Sequence, residues 1–257
     1  MHAMIFSPSL DAVFGKSGLS FEQQVERCRE LGYTSIEFWG WGGRDLNGLK
    51  ALTERLGIQV GSFCTKNSDL VNPASRDLFL AGLRESIAAA KQVDCRFLIA
   101  TVGNAREGVP RQEQHDSIVE GLRAAAPYLE EAGITLVLEP LNDLVDHRGY
   151  YLVRSDEAFE IIDNVGSSNV KVLYDVYHQQ ISEGNLISTI RANIGRIGYF
   201  HIADHPGRHE IGTGEINYRN VLAAIKEAGY TGFIGLEYMP LQGVDEGLTA
   251  FLKEYAE

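Results

Sequence analysis

The chain has 257 residues, 44% of them hydrophobic and 23% charged, and a formal net charge of −12. A length of this order suits one α/β domain with a core large enough to need no staples. The acidic balance argues against nucleic acid or an anionic membrane as partner, while leaving room for a local cationic pocket.

Cysteines 28, 64 and 95 are odd in number and form no C-x-x-C pair, so a disulfide framework is not expected and a reducing compartment is. The first residues lack the charged region and long apolar core of a signal peptide. No apolar stretch approaches the roughly 20 residues of a membrane helix. The expected location is cytoplasmic.

In chain order, strands are expected over residues 4–9, 35–39, 59–63, 97–101, 134–139, 170–175, 197–201 and 233–237. Helices are expected between and after them, over 21–31, 46–56, 76–92, 112–132, 155–164, 187–193, 218–228 and 243–255. Several strands, such as residues 134–138, are unbroken apolar runs, the pattern of parallel strands covered on both faces. Ser20 with Gln23 resembles a capping box. Asp156 and Glu157 after Ser155 favour a helix start. Gly32, Gly57, Gly133 and Gly229 each follow a helical run, as stop signals do.

This rhythm predicts a single (β/α)8 TIM barrel over residues 1–257, with right-handed crossovers. A doubly wound sheet is the structural rival. It usually carries a glycine-rich phosphate loop after its first strand, and here Pro8, Ser9, Leu10 and Asp11 stand there instead. Residues 40–43 read as a loop on the active face.

Active sites of barrels lie at the C-terminal ends of the strands. The last four expected strands end in Glu139, Asp175, His201 and Glu237. With roughly 4.8 Å between paired strands, four such ends can converge on one ion. Three carboxylates and an imidazole suit Mn²⁺ or Mg²⁺, and also accept Co²⁺ or Zn²⁺. A lone carboxylate at a strand end is more often a cap, and Asp175 can be read so.

At these motifs the sequence resembles the hydroxypyruvate isomerase-like group of xylose isomerase-like barrels, over nearly the whole chain. The resemblance is densest in residues 138–142, 175–180, 203–216 and 236–238, and extends to Glu37, Phe38 and Trp39. It implies an aldose–ketose isomerase acting on a short hydroxy-oxo acid or sugar, with Glu139 and Glu237 as its catalytic pair. The related ketose 3-epimerases hold a metal through residues matching Glu139, Asp175, His201 and Glu237. They also use a His and an Arg matching His178 and Arg208. Two departures leave the substrate open. Many members of the group have Gln where this chain has His201, and the epimerases have a second Glu where this chain has Val145.

The implied chemistry moves a proton between adjacent carbons of an α-hydroxy carbonyl, with a divalent ion spreading the enediolate charge. One glutamate takes the proton, and it or its partner returns one. His178 is assigned to a substrate oxygen. Arg208 is assigned to a substrate carboxylate, the alternative being an ion pair with Glu210 or Glu215. Lys66 either adds positive charge to the pocket or is solvated. Trp39, with Phe38 and Trp41, is expected to wall the pocket, with core packing the alternative for Phe38. His147 is placed at the entrance, His205 and His209 in loop structure, and His2 and His115 on the surface.

Four rivals remain: a ketose 3-epimerase and an inosose isomerase or dehydratase on the same barrel, a metal-dependent nuclease on that barrel, and a non-catalytic sugar-binding module. The nuclease needs more histidine ligands and a basic face. Homo-oligomerisation is left open.

Overall fold

The computed structural model describes residues 4–241 and 243–255; the expectation for His2 lies outside them. Eight strands occur among the described residues: β1 (Ile5–Pro8), β2 (Ser35–Phe38), β3 (Gln59–Cys64), β4 (Phe97–Ala100), β5 (Thr135–Leu138), β6 (Val170–Asp175), β7 (Ile197–Ile202) and β8 (Phe233–Leu236). From β2 to β8 each pairs in parallel with the next, and β8 pairs with β1. The seam between β1 and β2 is closed by a parallel bridge from Ser9 to Glu37 and by the Ser7 and Ser35 hydroxyls, 3.0 Å apart. The result is the expected eight-stranded parallel barrel.

Helices fill the expected intervals: Phe21–Glu30, Leu46–Leu56, Arg76–Gln92, Arg111–Ala132, Ser155–Val165, Leu186–Asn193, Tyr218–Glu227 and Val244–Tyr255. Ser20 and Gln23 form the full capping box. Gly57 and Gly133 take left-handed φ values of 63° and 66° as C-caps, the conformation glycine adopts without steric cost. Ser155 is the first residue of its helix, and its hydroxyl donates to Glu183. Two further short helices, Leu10–Val13 and Val176–Ser182, follow β1 and β6 directly. They are too short to display a helical period, which hides them from pattern reading.

Apolar side chains fall into two clusters. The larger lies between strands and helices. The smaller consists of Ile99, Val137, Leu173 and Tyr199, with Cys64, Phe97 and Phe233 against it, all from strands. Side chains two apart on a strand share a face. Val137, Leu173 and Tyr199 are therefore followed on the same face by Glu139, Asp175 and His201, and Phe233 four residues on by Glu237. The small cluster plugs the barrel interior directly beneath the four polar groups.

Two glycines make that interior possible. A methyl group at Gly61 would come within 2.6 Å of the Tyr199 hydroxyl and 2.8 Å of the Ser7 hydroxyl. One at Gly235 would come within 2.5 Å of both Glu37 carboxylate oxygens and of His201 Cδ2.

Two side-chain expectations, for His115 and Trp41, are corrected, and the core alternative holds for Phe38. His115 is buried rather than on the surface, 3.4 Å from Glu157 on a neighbouring helix. Phe38 is core, stacked on Phe63 at 5.3 Å between centroids. Trp41 packs against the outer core with its indole N–H on Ser86, away from the four polar groups. In the latter two cases strand and loop geometry turn the ring outward, toward the helices.

Gly61→Ala is expected to cost about 1–3 kcal/mol through overpacking. Gly195→Ala, where an added Cβ meets nothing within 4 Å, should stay within about 0.5 kcal/mol. Urea unfolding of both variants measures the difference.

Candidate active site

The strand ends converge. One ligand atom from each of Glu139, Asp175, His201 and Glu237 lies within 4.8 Å of every other, and all four residues are buried. His201 Nδ1 is 3.4 Å from Glu139 Oε1 and 3.2 Å from Glu237 Oε2. Yet neither His201 Nδ1 nor Glu139 Oε1 has a hydrogen-bond partner. These buried donor atoms lie close enough together that they could hold one ion.

Asp175 is both a cap and a member of this group. One carboxylate oxygen accepts the backbone N–H groups of Tyr177 (2.8 Å) and His178 (3.2 Å), which starts the Val176–Ser182 helix. The other oxygen is left to the cluster. The two readings of this residue are compatible because a carboxylate has two acceptors.

Burial and neighbouring charge divide the four groups. Burial pushes the Glu139 carboxyl up to about 7, against the pull of His201. Burial also raises Glu237, but Arg208 and His201 outweigh it and hold that carboxyl well below the usual range. Burial raises Asp175, with Arg208 and His201 opposing. Burial disfavours an imidazolium at His201, yet Glu37, Glu237 and Glu139 around it raise its pKa well above the ordinary value. Two carboxylates in different environments, side by side, are the usual mark of acid–base machinery.

Around the cluster stand the other expected residues. Trp39 is 40% exposed, and its indole N–H donates to Glu237 at 2.5 Å. Asp11 fixes that tryptophan by accepting its backbone N–H at 2.6 Å. Arg208 pairs with Glu237, lies 3.9 Å from Asp175, and has its guanidinium over the Tyr177 ring. Glu210 and Glu215, the alternative partners read from sequence, are not the ones it meets. The residue adopts φ 58°, a strained conformation for a non-glycine side chain. His178 is fully buried, 3.6 Å from Asp175, with the half-buried His147 ring 5.3 Å away. Burial, with Arg208 nearby, lowers the His178 pKa well below its ordinary value and keeps the ring neutral.

Lys66 is not drawn into this group. Its ammonium is 2.6 Å from Glu85 and sits over the Trp41 ring. His209 is held by the Met239 carbonyl, as a loop residue is.

Glu37, on β2, lies against the cluster, a role that its place in the sequence does not assign. It is buried, 3.2 Å from His201 Nε2, and accepts from the Tyr199 hydroxyl at 2.7 Å and the Ser62 hydroxyl at 3.3 Å. A signal was present. A glutamate within a strand covered on both faces must find partners there, since an unpaired buried charge is too costly. The partners lie on other strands and could not be named from the sequence.

Residues 25–255 match the model of a family described as xylose isomerase-like TIM barrel. The hydroxypyruvate isomerase of Escherichia coli is 32% identical over 251 residues, 95% of this chain and 96% of that protein. The 2-oxo-tetronate isomerase of Cupriavidus necator is 40% identical over 137 residues, 53% of this chain and 52% of that protein. A crystal structure described as AP endonuclease, family 2, from Brucella melitensis superposes with a TM-score of 0.92 at 28% identity, covering 99% of this chain and 100% of that one. Fold, site and sequence agree, and the chain belongs to the hydroxypyruvate isomerase family of the xylose isomerase-like TIM barrels.

Proposed function

We propose that the protein is an aldose–ketose isomerase that moves a proton between C3 and C2 of hydroxypyruvate or a similar short hydroxy-oxo acid. The observation that carries this reading is the convergence of Glu139 and Glu237 on one buried point with Asp175 and His201. The full-length similarity to a hydroxypyruvate isomerase supports the substrate class.

The donor set fits a divalent cation. Its atoms are close and buried, and two of them lack hydrogen-bond partners. Glu139, Asp175, His201 and Glu237 would hold the ion, Mn²⁺ or Mg²⁺ by the preference of three oxygens and one nitrogen. Bound there, it would supply charge stabilisation to the oxygens of an enediolate.

The chain's own groups do the rest. In the forward direction the C3–H proton of hydroxypyruvate is taken by one glutamate, and the C3 hydroxyl becomes a carbonyl. A proton is returned to C2 by that glutamate or its partner, and the proton leaving the C3 hydroxyl passes to the C2 oxygen, which becomes a hydroxyl, giving 2-hydroxy-3-oxopropanoate. No atom is gained or lost. Arg208 is the forked cation suited to the substrate carboxylate. Trp39 shields Glu237 from water and fixes its orientation. His178 contacts a substrate oxygen. Lys66, tied to Glu85, contributes at most a distant positive charge.

A nuclease role is disfavoured. The cluster contains one histidine, and a net charge of −12 repels a phosphate backbone.

Glu139→Gln and Glu237→Gln are each expected to lose at least about a hundredfold in kcat on hydroxypyruvate. Near-normal turnover in either variant refutes that residue's role, and an NMR time course is sufficient to detect it. Mn²⁺ affinity, read by titration calorimetry, should weaken as the pH falls through about 7, where Glu139 gains its proton, in addition to the competition from the His201 proton, which its raised pKa extends to higher pH. The sign follows from the raised carboxyl: it stays protonated to higher pH than usual, so protons compete with the metal earlier. Flat affinity between about pH 8 and about pH 6 would remove Glu139 from the ligand set. Arg208→Ala should reduce kcat/KM more for hydroxypyruvate than for a neutral ketose of similar length. Equal losses on both count against a carboxylate contact.

A further inference from the structure

The rim of the site carries a hydrogen-bond chain whose direction is fixed by backbone atoms. Asn142, on the loop after β5, is fully buried. Its side-chain oxygen accepts the backbone N–H groups of Val145 at 2.9 Å and Asp146 at 3.1 Å. A backbone N–H can only donate, so these two bonds identify the oxygen and place the amide nitrogen on the other side. That nitrogen meets Asp146 Oδ2 at 2.7 Å and His178 Nδ1 at 2.6 Å. The backbone N–H of Asn142 reaches the same Nδ1 at 3.3 Å. Asp146 is anchored in turn by the Tyr177 hydroxyl at 2.9 Å.

Two donors at Nδ1 leave His178 one arrangement: the lone pair on Nδ1 and the ring proton on Nε2. Nε2 is buried and has no hydrogen-bond partner, and it lies 3.6 Å from Asp175 at the edge of the carboxylate cluster. A buried N–H without an acceptor is uncommon in folded proteins and marks a place for one.

We propose that Asn142 is a positioning residue that locks His178 as its Nε2–H tautomer, making His178 a donor of fixed polarity to a substrate oxygen. Asp146 and Tyr177 hold the asparagine amide in the orientation this requires. With Nδ1 committed as an acceptor, loss of the Nε2 proton would leave a ring with no proton at all. His178 therefore polarises an oxygen that gains negative charge, and the proton traffic is left to the glutamates. The opposite tautomer would aim a lone pair at that oxygen and repel it. The site thus favours substrates with an acceptor oxygen, a carbonyl or an enediolate, at this position.

The lock itself does not depend on the isomerase reading, whereas the role of the donor does, and the experiment separates them. ¹⁵N NMR of the histidine-labelled full chain, without metal or substrate, reads the tautomer directly. The His178 signals, assigned by their loss in His178→Gln, are expected to show a proton on Nε2 and none on Nδ1. A proton on Nδ1, alone or together with one on Nε2, overturns the lock, and this arm needs no folded variant of Asn142. Asn142→Asp keeps the shape and the oxygen that accepts from the backbone, but turns a carboxylate oxygen toward Nδ1. It should move the proton to Nδ1 and lower kcat on hydroxypyruvate by on the order of a hundredfold, with KM changed less than about threefold. An inverted tautomer with unchanged kcat overturns the donor role. Failure of the wild-type protein to turn over any hydroxy-oxo acid would sink the isomerase reading and leave the NMR result standing.

Discussion

Like-charge repulsion is the constraint on which this molecule is built. Glu37, Glu139, Asp175 and Glu237 are all buried at one end of the barrel interior. Carboxylates this close cannot all stay ionised in a medium of low dielectric unless cations answer them. Arg208 and His201 supply two positive charges, and they are placed against the groups that need them: Arg208 on Glu237, and His201 between Glu37, Glu139 and Glu237. Four carboxyl groups crowd around one guanidinium and one imidazole, and protons or a further cation relieve that crowding. Burial is the main reason the Glu139 carboxyl is raised, with Glu237 and Asp175 adding to it and His201 opposing.

The backbone is shaped around the same demand. The barrel interior must be dry enough below to stop water from screening the site, and empty enough above to admit acids. Ile99, Val137, Leu173 and Tyr199 provide the dry floor. Gly235 and Gly61 provide the space, since a methyl group at either position would collide with the polar groups or with the tyrosine that supports Glu37. The seam where β1 meets β2 is held by the Ser9–Glu37 bridge. The strand that closes the barrel is thus also the strand that carries the partner of His201, so closure and site geometry are one event.

At the rim, polarity rather than charge is under control. Asp175 uses one oxygen to start a helix and keeps the other for the cluster, and that helix presents Tyr177 and His178. Asn142 reads the His178 ring from one side through two donors whose identity the backbone settles. Arg208, in a left-handed backbone conformation, reaches back over Tyr177 to Glu237. Strain of this kind persists only where surrounding contacts enforce it.

The sequence by itself determined the order of strands and helices, the parallel barrel, and the four polar residues at successive strand ends. These are local properties: apolar period, glycine stops, and the parity that puts residues two apart on one face. What only the tertiary structure decided is which group meets which. Arg208 looked equally able to pair with Glu210 or Glu215, yet it pairs with Glu237 from the next strand. Lys66 turned away to Glu85. Glu37 found His201 and Tyr199 across the barrel, and Asn142 found His178. His115 and Phe38 went to the core for the same reason. Partners far apart in sequence are brought together by barrel closure, and the choice among them depends on distances of an ångström or two that no spacing along the chain encodes.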